Sequence, residues 1–366
     1  FSYARCRTGS PPMSWQGIEG HDEVAAAFAR AAGRGRIAGS YLFIGPEGVG
    51  KSTFALALAK ALTCEAATGD LLPCGRCGSC LQADAGSHPD IDVVAKPDER
   101  ATIPLELLIG SAEHRMREGL CWRILLKPAL GRRKVAVIRD ADSLSEEAAN
   151  CLLKTLEEPP EAAVIILVGS SLQRQLPTIR SRCQVVRFGP LSPDTIAKVL
   201  ESEETGGEPG EIEPAAAASG GSLAIARLLT DPALAGFRGR LFSLLARNPL
   251  PGVELAREVT ALVEAAGKEA AIRRPRLRVV LEFAIEFYRA ALRHAAGASL
   301  PADATLAREV AVWTANCRHD PAEDATTAIG HTLDTMQSID RNLHLGMLID
   351  AWTALLEEPR LAAARG

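Results

Sequence analysis

The chain has 366 residues, 47% of them hydrophobic, 23% charged and only 4% aromatic, with a formal net charge of −4. That is ordinary globular composition, long enough for two or three domains with separate cores and rich in helix-forming Ala and Leu. It excludes nucleic-acid binding through overall positive charge, and no apolar run nears the ~20 residues of a bilayer-spanning helix, so no membrane partner is expected.

The N-terminal stretch FSYARCRTGSPP has no apolar signal core, and Met13 reads as a start, which makes residues 1–12 an extension expected to be disordered. Nine cysteines without a secretion signal point to a cytoplasmic location with reduced thiols.

From about Trp15 to Phe188, apolar runs alternate with helical stretches. Strands are expected at Tyr41–Ile44, Ile91–Val94, Lys134–Ile138, Val164–Val168 and Val185–Phe188. Such alternation predicts a parallel sheet covered by helices on both faces. The first strand runs into Gly45-Pro46-Glu47-Gly48-Val49-Gly50-Lys51-Ser52, and a helix is expected over Thr53–Leu62. Strand, G-x-x-x-x-G-K-S loop and helix in this order cradle phosphates with backbone N–H groups. The candidate ATP- or ADP-binding residues are therefore Gly45, Gly48, Val49, Gly50, Lys51, Ser52 and Thr53. Lys51 would reach the β- and γ-phosphates and the Ser52 hydroxyl would ligate Mg²⁺. The alternative is a glycine-rich turn that merely caps a helix.

Cys64-x₉-Cys74-x₂-Cys77-x₂-Cys80 follows that helix directly. In a reducing compartment four thiolates at this spacing predict a closed, tetrahedral and structural Zn²⁺ site within a module at 64–80. Four unligated thiols, or a redox pair at Cys74 and Cys77, are the other readings. Pro190 to Pro193 then punctuate the chain; short helices follow to about Leu229, and only helices are expected beyond Pro232, among them Arg276–His294 and Met336–Glu357. The domain reading is a nucleotide domain over 13–190, a helical lid over 191–231 and a helical domain over 232–366. Basic clusters stand at Arg34/Arg36, Arg132-Arg133-Lys134 and Arg273-Arg274-x-Arg276-x-Arg278, without the interleaved aromatics that stack on bases.

Asn150–Pro160 (NCLLKTLEEPP), Leu176–Cys183 (LPTIRSRC) and the cysteine insertion together resemble the AAA+ ATPases of the bacterial replicative clamp loader, over roughly residues 14–230. The resemblance implies an α/β P-loop domain, a helical lid and a helical collar, assembled into a hetero-pentameric ring with other loader subunits. The family's task is to place a sliding clamp on primed DNA. By position, Arg182 of Ser181-Arg182-Cys183 matches an arginine finger that enters a neighbour's nucleotide site, where a guanidinium stabilises developing charge. Ile18 and His21 fall where the family packs around adenine.

The same resemblance exposes departures. The adjacent Asp and Glu that close the third strand in active subunits correspond here to Arg139 and Asp140, which makes Asp140 a degenerate catalytic candidate. A shifted register would use Asp140 as the metal carboxylate, with Asp142 nearby. Ala224 holds the place of a sensor Arg. These departures imply a ring-organising subunit that serves its neighbour, with little ATPase activity of its own. An active motor of the same loader and a standalone zinc-containing nucleotide-binding protein are the alternatives. No paired carboxylates for nucleotidyl transfer stand out, so the resemblance implies a component of a polymerase complex without polymerase chemistry of its own.

Overall fold

Five strands form where the apolar runs lie: β1 (Ser40–Ile44), β2 (Ile91–Val94), β3 (Lys134–Ile138), β4 (Ala163–Gly169) and β5 (Gln184–Arg187). A computed structural model describes residues 15–66, 71–97, 100, 102–115, 117–130, 132–203, 209–267, 269–301, 303–317, 319–339 and 344–362. The extension 1–12 and Met13 lie outside the described residues.

The strands are all parallel, in the order β2-β3-β4-β1-β5. β1, β3 and β4 are buried throughout, the continuous apolar signature of strands covered on both faces. Side chains alternate between those faces. Leu42, Ile44, Ala136, Ile138, Ile165 and Leu167 pack against Leu108, Leu120, Leu152 and Leu156 on one side. Tyr41, Phe43, Val135, Val137, Val164 and Ile166 meet Phe28, Phe54 and Leu58 on the other. Ligands of such sheets bind at the carboxyl ends of the strands, where β1 and β4 deliver the loops described below.

The described chain falls into two compact units, one holding residues up to 203 with Gly220–Ala224 and the other holding 209–219 with 225 onward. The stretch expected as a lid is thus divided. Pro193–Ser202 and Gly220–Ala224 go with the sheet, and Pro209–Ala218 and most of Leu223–Leu229 go with the C-terminal helices.

Every described element of the second unit is helical, up to the last helix, Leu345–Ala362. Its core holds Phe237, Phe242, Phe283, Phe287, Tyr288, Trp313 and Trp352. Buried Arg238 bridges Glu286 at 2.7 Å and Asp303 at 2.6 Å, and Asp303 also caps the helix Ala304–Asn316. The single helix expected over Met336–Glu357 is two: Pro321–Ile339 ends, and Leu345–Ala362 begins after His344. The apolar spacing of the two coincides closely enough for the sequence to read as one. The parallel sheet, the cysteine cluster and the all-helical region together give the AAA+ type of architecture with a helical C-terminal domain. Among the described residues no helix is long and apolar enough to cross a membrane.

Candidate functional site

The phosphate loop leaves β1 at the carboxyl edge of the sheet and ends at Gly50, whose φ of +95° is left-handed and favours glycine at the cap of the helix Lys51–Thr63. At Gly45 a side chain is excluded outright, since an added Cβ would lie 2.2 Å from the Phe188 carbonyl oxygen. The glycines thus stand in a loop that leads into a helix N-terminus, the kind of position that holds an anion. Lys51 is buried, and its Nζ donates to the carbonyls of Gly45 at 2.6 Å and Pro46 at 2.5 Å. Burial lowers its pKa, and the charges of Glu47 and Asp142 oppose that shift. Ser52 is half-buried beside it, Val49 is buried and Thr53 is exposed.

His21 closes one side of the loop. Its Nε2–H donates to the Val49 carbonyl at 2.6 Å, and its ring stands edge-on to Phe188 at 4.9 Å. Ile18 packs into the same core. On another side Leu223 N–H donates to the Gly48 carbonyl at 3.0 Å, and an added Cβ on Gly48 would meet Ser222 Oγ at 2.2 Å and Ala224 Cβ at 2.7 Å. Gly221–Ala224 therefore lies against the loop, and Ala224 brings a methyl group there.

The end of β3 divides its polar residues between two directions. Arg139 donates its N–H to Val94 of β2, and its Nε is buried without a partner. Asp140 adopts a left-handed φ of +54°, is exposed, and accepts from Lys96 N–H at 3.3 Å through Oδ2. A 3₁₀ turn over Ala141–Ser143 then carries Asp142 the other way. Asp142 Oδ2 accepts from Ser170 N–H at 2.6 Å, just beyond β4, and Oδ1 accepts from the Gln175 amide. Sequence reasoning placed Asp142 only as a neighbour of Asp140, and the left-handed residue that separates them leaves no mark in composition or periodicity.

Arg182 follows the short helix Pro177–Arg180. Its Nη1 donates to the Thr178 carbonyl at 3.2 Å, and its Nε donates to Glu157 at 3.3 Å. Gln184, two residues on, pairs with Tyr41 in the parallel β1–β5 ladder. Arg182 is thus at the amino edge of the sheet, about 20 Å from the phosphate loop along the strand direction at ~3.3 Å per residue. An arginine side chain cannot span that distance.

The four cysteines converge. Their sulfurs lie within 4.8 Å of one another, with Cys64–Cys77 at 3.9 Å and Cys74–Cys80 at 4.0 Å. A zinc tetrahedron with Zn–S bonds of ~2.3 Å has sulfur–sulfur edges of about 3.8 Å, so the set fits structural zinc with no open position. The N–H groups of Cys74, Cys77 and Cys80 point at the sulfurs of Cys64, Cys74 and Cys77 respectively. The N–H groups of Arg76 and Cys77 hold the Cys74 thiol down to about 6, whereas burial pushes Cys80 up to about 12. The module is tied back by Ser79, whose hydroxyl donates to Thr63, and by the Lys60–Asp84 ion pair at 2.5 Å.

Two of the three basic clusters are partly consumed internally. Lys134 is buried against Asp90 at 3.5 Å, Arg276 pairs with Asp231 at 2.6 Å, and Arg273 donates to the Gly267 carbonyl.

The protein family described as "DNA polymerase III, delta subunit" matches residues 20–192, which hold the phosphate loop, the four cysteines and Arg182. The chain is 33% identical to DNA polymerase III subunit tau of Escherichia coli (strain K12) over 259 residues, 69% of this chain and 38% of that protein. It is 37% identical to DNA polymerase III subunit delta′ of Pseudomonas aeruginosa over 205 residues, 54% of this chain and 57% of that protein. A gamma subunit-related protein of DNA polymerase III from Thermotoga maritima aligns at 16% identity and a TM-score of 0.37, covering 91% of this chain and 99% of that one. The chain thus spans less than two thirds of the length of these tau and delta′ relatives. Over these aligned regions it is similar to the tau and delta′ subunits of bacterial DNA polymerase III.

Proposed function

We propose that this chain, related to those subunits through its nucleotide domain, is a clamp-loader subunit of bacterial DNA polymerase III. It works in a hetero-pentameric ring that uses ATP to place a sliding clamp on primer-template DNA. The observation that carries the reading is the separation of its two phosphate-directed features. The loop Gly45–Ser52 lies at the carboxyl edge of the sheet and Arg182 at the amino edge, so they cannot serve one nucleotide. Such a division of labour makes sense where each site is completed by a neighbour. Lys51, Ser52 and the N–H groups at Gly48–Ser52 are the groups that would hold a nucleotide; its Mg²⁺ would neutralise phosphate charge. The cysteine cluster would hold zinc as a structural clip.

Two roles within the ring remain distinct. The tau relative aligns over more of the chain than the delta′ relative, and the phosphate loop is complete. Both points weigh toward a subunit that turns over its own ATP. Arg139 and Ala224 weigh toward a delta′-like subunit that lends Arg182 to its neighbour and hydrolyses little itself.

Reconstitution with loader partners tests this. Replacing Arg182 with Ala is expected to cut ATP turnover at the one neighbouring site by about 10³-fold, lowering turnover of the ring by that site's share, while leaving assembly intact. An unchanged rate removes that role. Turnover by the isolated chain that vanishes in Lys51→Ala selects the motor reading, and its absence selects the delta′-like one. Failure to join a loader ring would sink both.

A further inference from the structure

At the end of β3, which β4 separates from β1, the two places where the resemblance puts adjacent carboxylates are held by Arg139 and Asp140. Asp140 is turned further away, toward Lys96 beyond β2. Arg139 places a permanent cation at the same edge, with its Nε buried and unpartnered, which opposes a divalent ion there.

Asp142 lies on the other side. Its carboxylate is held by Ser170 N–H beyond β4, the strand that adjoins β1, and it rests on Gly169, whose ladder partner Ile44 immediately precedes the phosphate loop. Gly169 leaves the necessary room, since an added Cβ would meet Asp142 Oδ1 at 2.9 Å and Gln175 Nε2 at 2.5 Å. Lys51 feels the charge of Asp142. Gln175 is only 3% exposed, and its amide N–H₂ is spent on Asp142, so its Oε1 is a buried acceptor with no donor. Mg²⁺ bound to phosphates keeps several waters, each of them a donor seeking such an acceptor.

We propose that Asp142, positioned by Ser170 and Gln175, is the carboxylate that answers the Mg²⁺ of a bound nucleotide in this chain, in place of the residues at 139 and 140. The proposal rests on the reading of Gly45–Ser52 as a nucleotide site, and its test separates the two. ATP binding is measured by calorimetry on the full chain with Mg²⁺ and with EDTA, for the native protein and for Asp142→Asn, Asp140→Asn and Lys51→Ala. Native protein is expected to bind ATP at least tenfold more tightly with Mg²⁺. Asp142→Asn keeps an acceptor for Ser170 and can turn its amide toward Gln175 Oε1, so it folds with native melting. Its Mg²⁺ advantage falls below threefold, with binding in EDTA unchanged, and Asp140→Asn retains the advantage.

A second variant, Gly169→Ala, crowds Asp142 without changing charge and is expected to lower the advantage as well. Native protein that binds ATP, with an Mg²⁺ advantage kept in Asp142→Asn or lost in Asp140→Asn, overturns the proposal and leaves the loop reading standing. No binding by the native protein, or binding unaffected in Lys51→Ala, overturns the loop reading and the proposal with it.

Discussion

Replacing Cys64 with Ser isolates what the metal contributes. Cys64 is fully buried at the C-terminal cap of the helix that begins at the phosphate loop, and its sulfur accepts from Cys74 N–H at 3.3 Å. Cross-linking Cys64 to Cys80 closes a segment whose removal from the unfolded ensemble is worth roughly 3 kcal/mol in the chain-entropy view of a covalent bridge of this length. Without the metal the closure falls to the Ser79–Thr63 hydrogen bond and the exposed Lys60–Asp84 pair, each worth about 1 kcal/mol or less.

The expected loss is therefore about 2–3 kcal/mol, or roughly 4–12 °C in melting temperature at ~2–4 °C per kcal/mol for a unit of this size. The sheet keeps both of its hydrophobic faces, so nucleotide affinity changes by less than about threefold. Metal analysis should give one zinc per native chain and none in the variant. Calorimetry then reads the melting shift, and hydrogen exchange reads faster exchange at Cys74–Asp84. A native chain that carries no zinc, or a variant that melts within 1 °C of it with unchanged exchange, would refute the reasoning.

Ser79→Ala removes a buried hydroxyl that receives His88 Nε2–H at 2.7 Å and donates to Thr63, and denaturant unfolding should show a cost of about 1–3 kcal/mol. His88 supplies a pH dependence: Asp90 N–H donates to its Nδ1, and burial holds its pKa below the usual 6.5. The unfolded chain then binds the proton more readily, so stability is full above pH 6.5 and declines as pH falls through the window down to the folded pKa. His88→Asn should flatten that decline, and a native slope that survives in the variant assigns it elsewhere. In the second unit, Arg238→Ala strips the common partner from Glu286 and Asp303, and equilibrium unfolding should register a loss of about 3–5 kcal/mol.

Much of the fold was legible because its determinants are local. β1, β3 and β4 read as unbroken apolar runs because both of their faces are covered, and the cysteines announced themselves by spacing. The phosphate loop was legible because Gly45 and Gly48 answer steric demands from nearby atoms and Gly50 a left-handed φ. What escaped depends on direction. The left-handed turn at Asp140 sends two nearby aspartates to opposite sides of β3, and nothing in the letters RDAD says which faces the loop. Helical periodicity marked the helices between 193 and 229 but not which core each joins, so Gly220–Ala224 emerged as part of the sheet unit only through its contacts with Gly48, Pro190 and Leu191. The same periodicity ran two helices together across Ile339 and Leu345.

The parallel pairing of β1 with β5 has a consequence for higher order. Because the loop leaves one end of this strand pair and Arg182 enters at the other, the proposed function would give the unit a receiving end and a giving end, like an arrow. Arrows that engage tip to tail make heterologous contacts, which have no built-in stop; they close into a ring or continue. A member whose giving end works while its receiving end is weak breaks that monotony, because it can occupy one terminal place in the series and no other. If the proposed division of labour holds, residues 139, 142 and 224 govern more than chemistry at a single loop, because they would set where along a directional array this chain can sit.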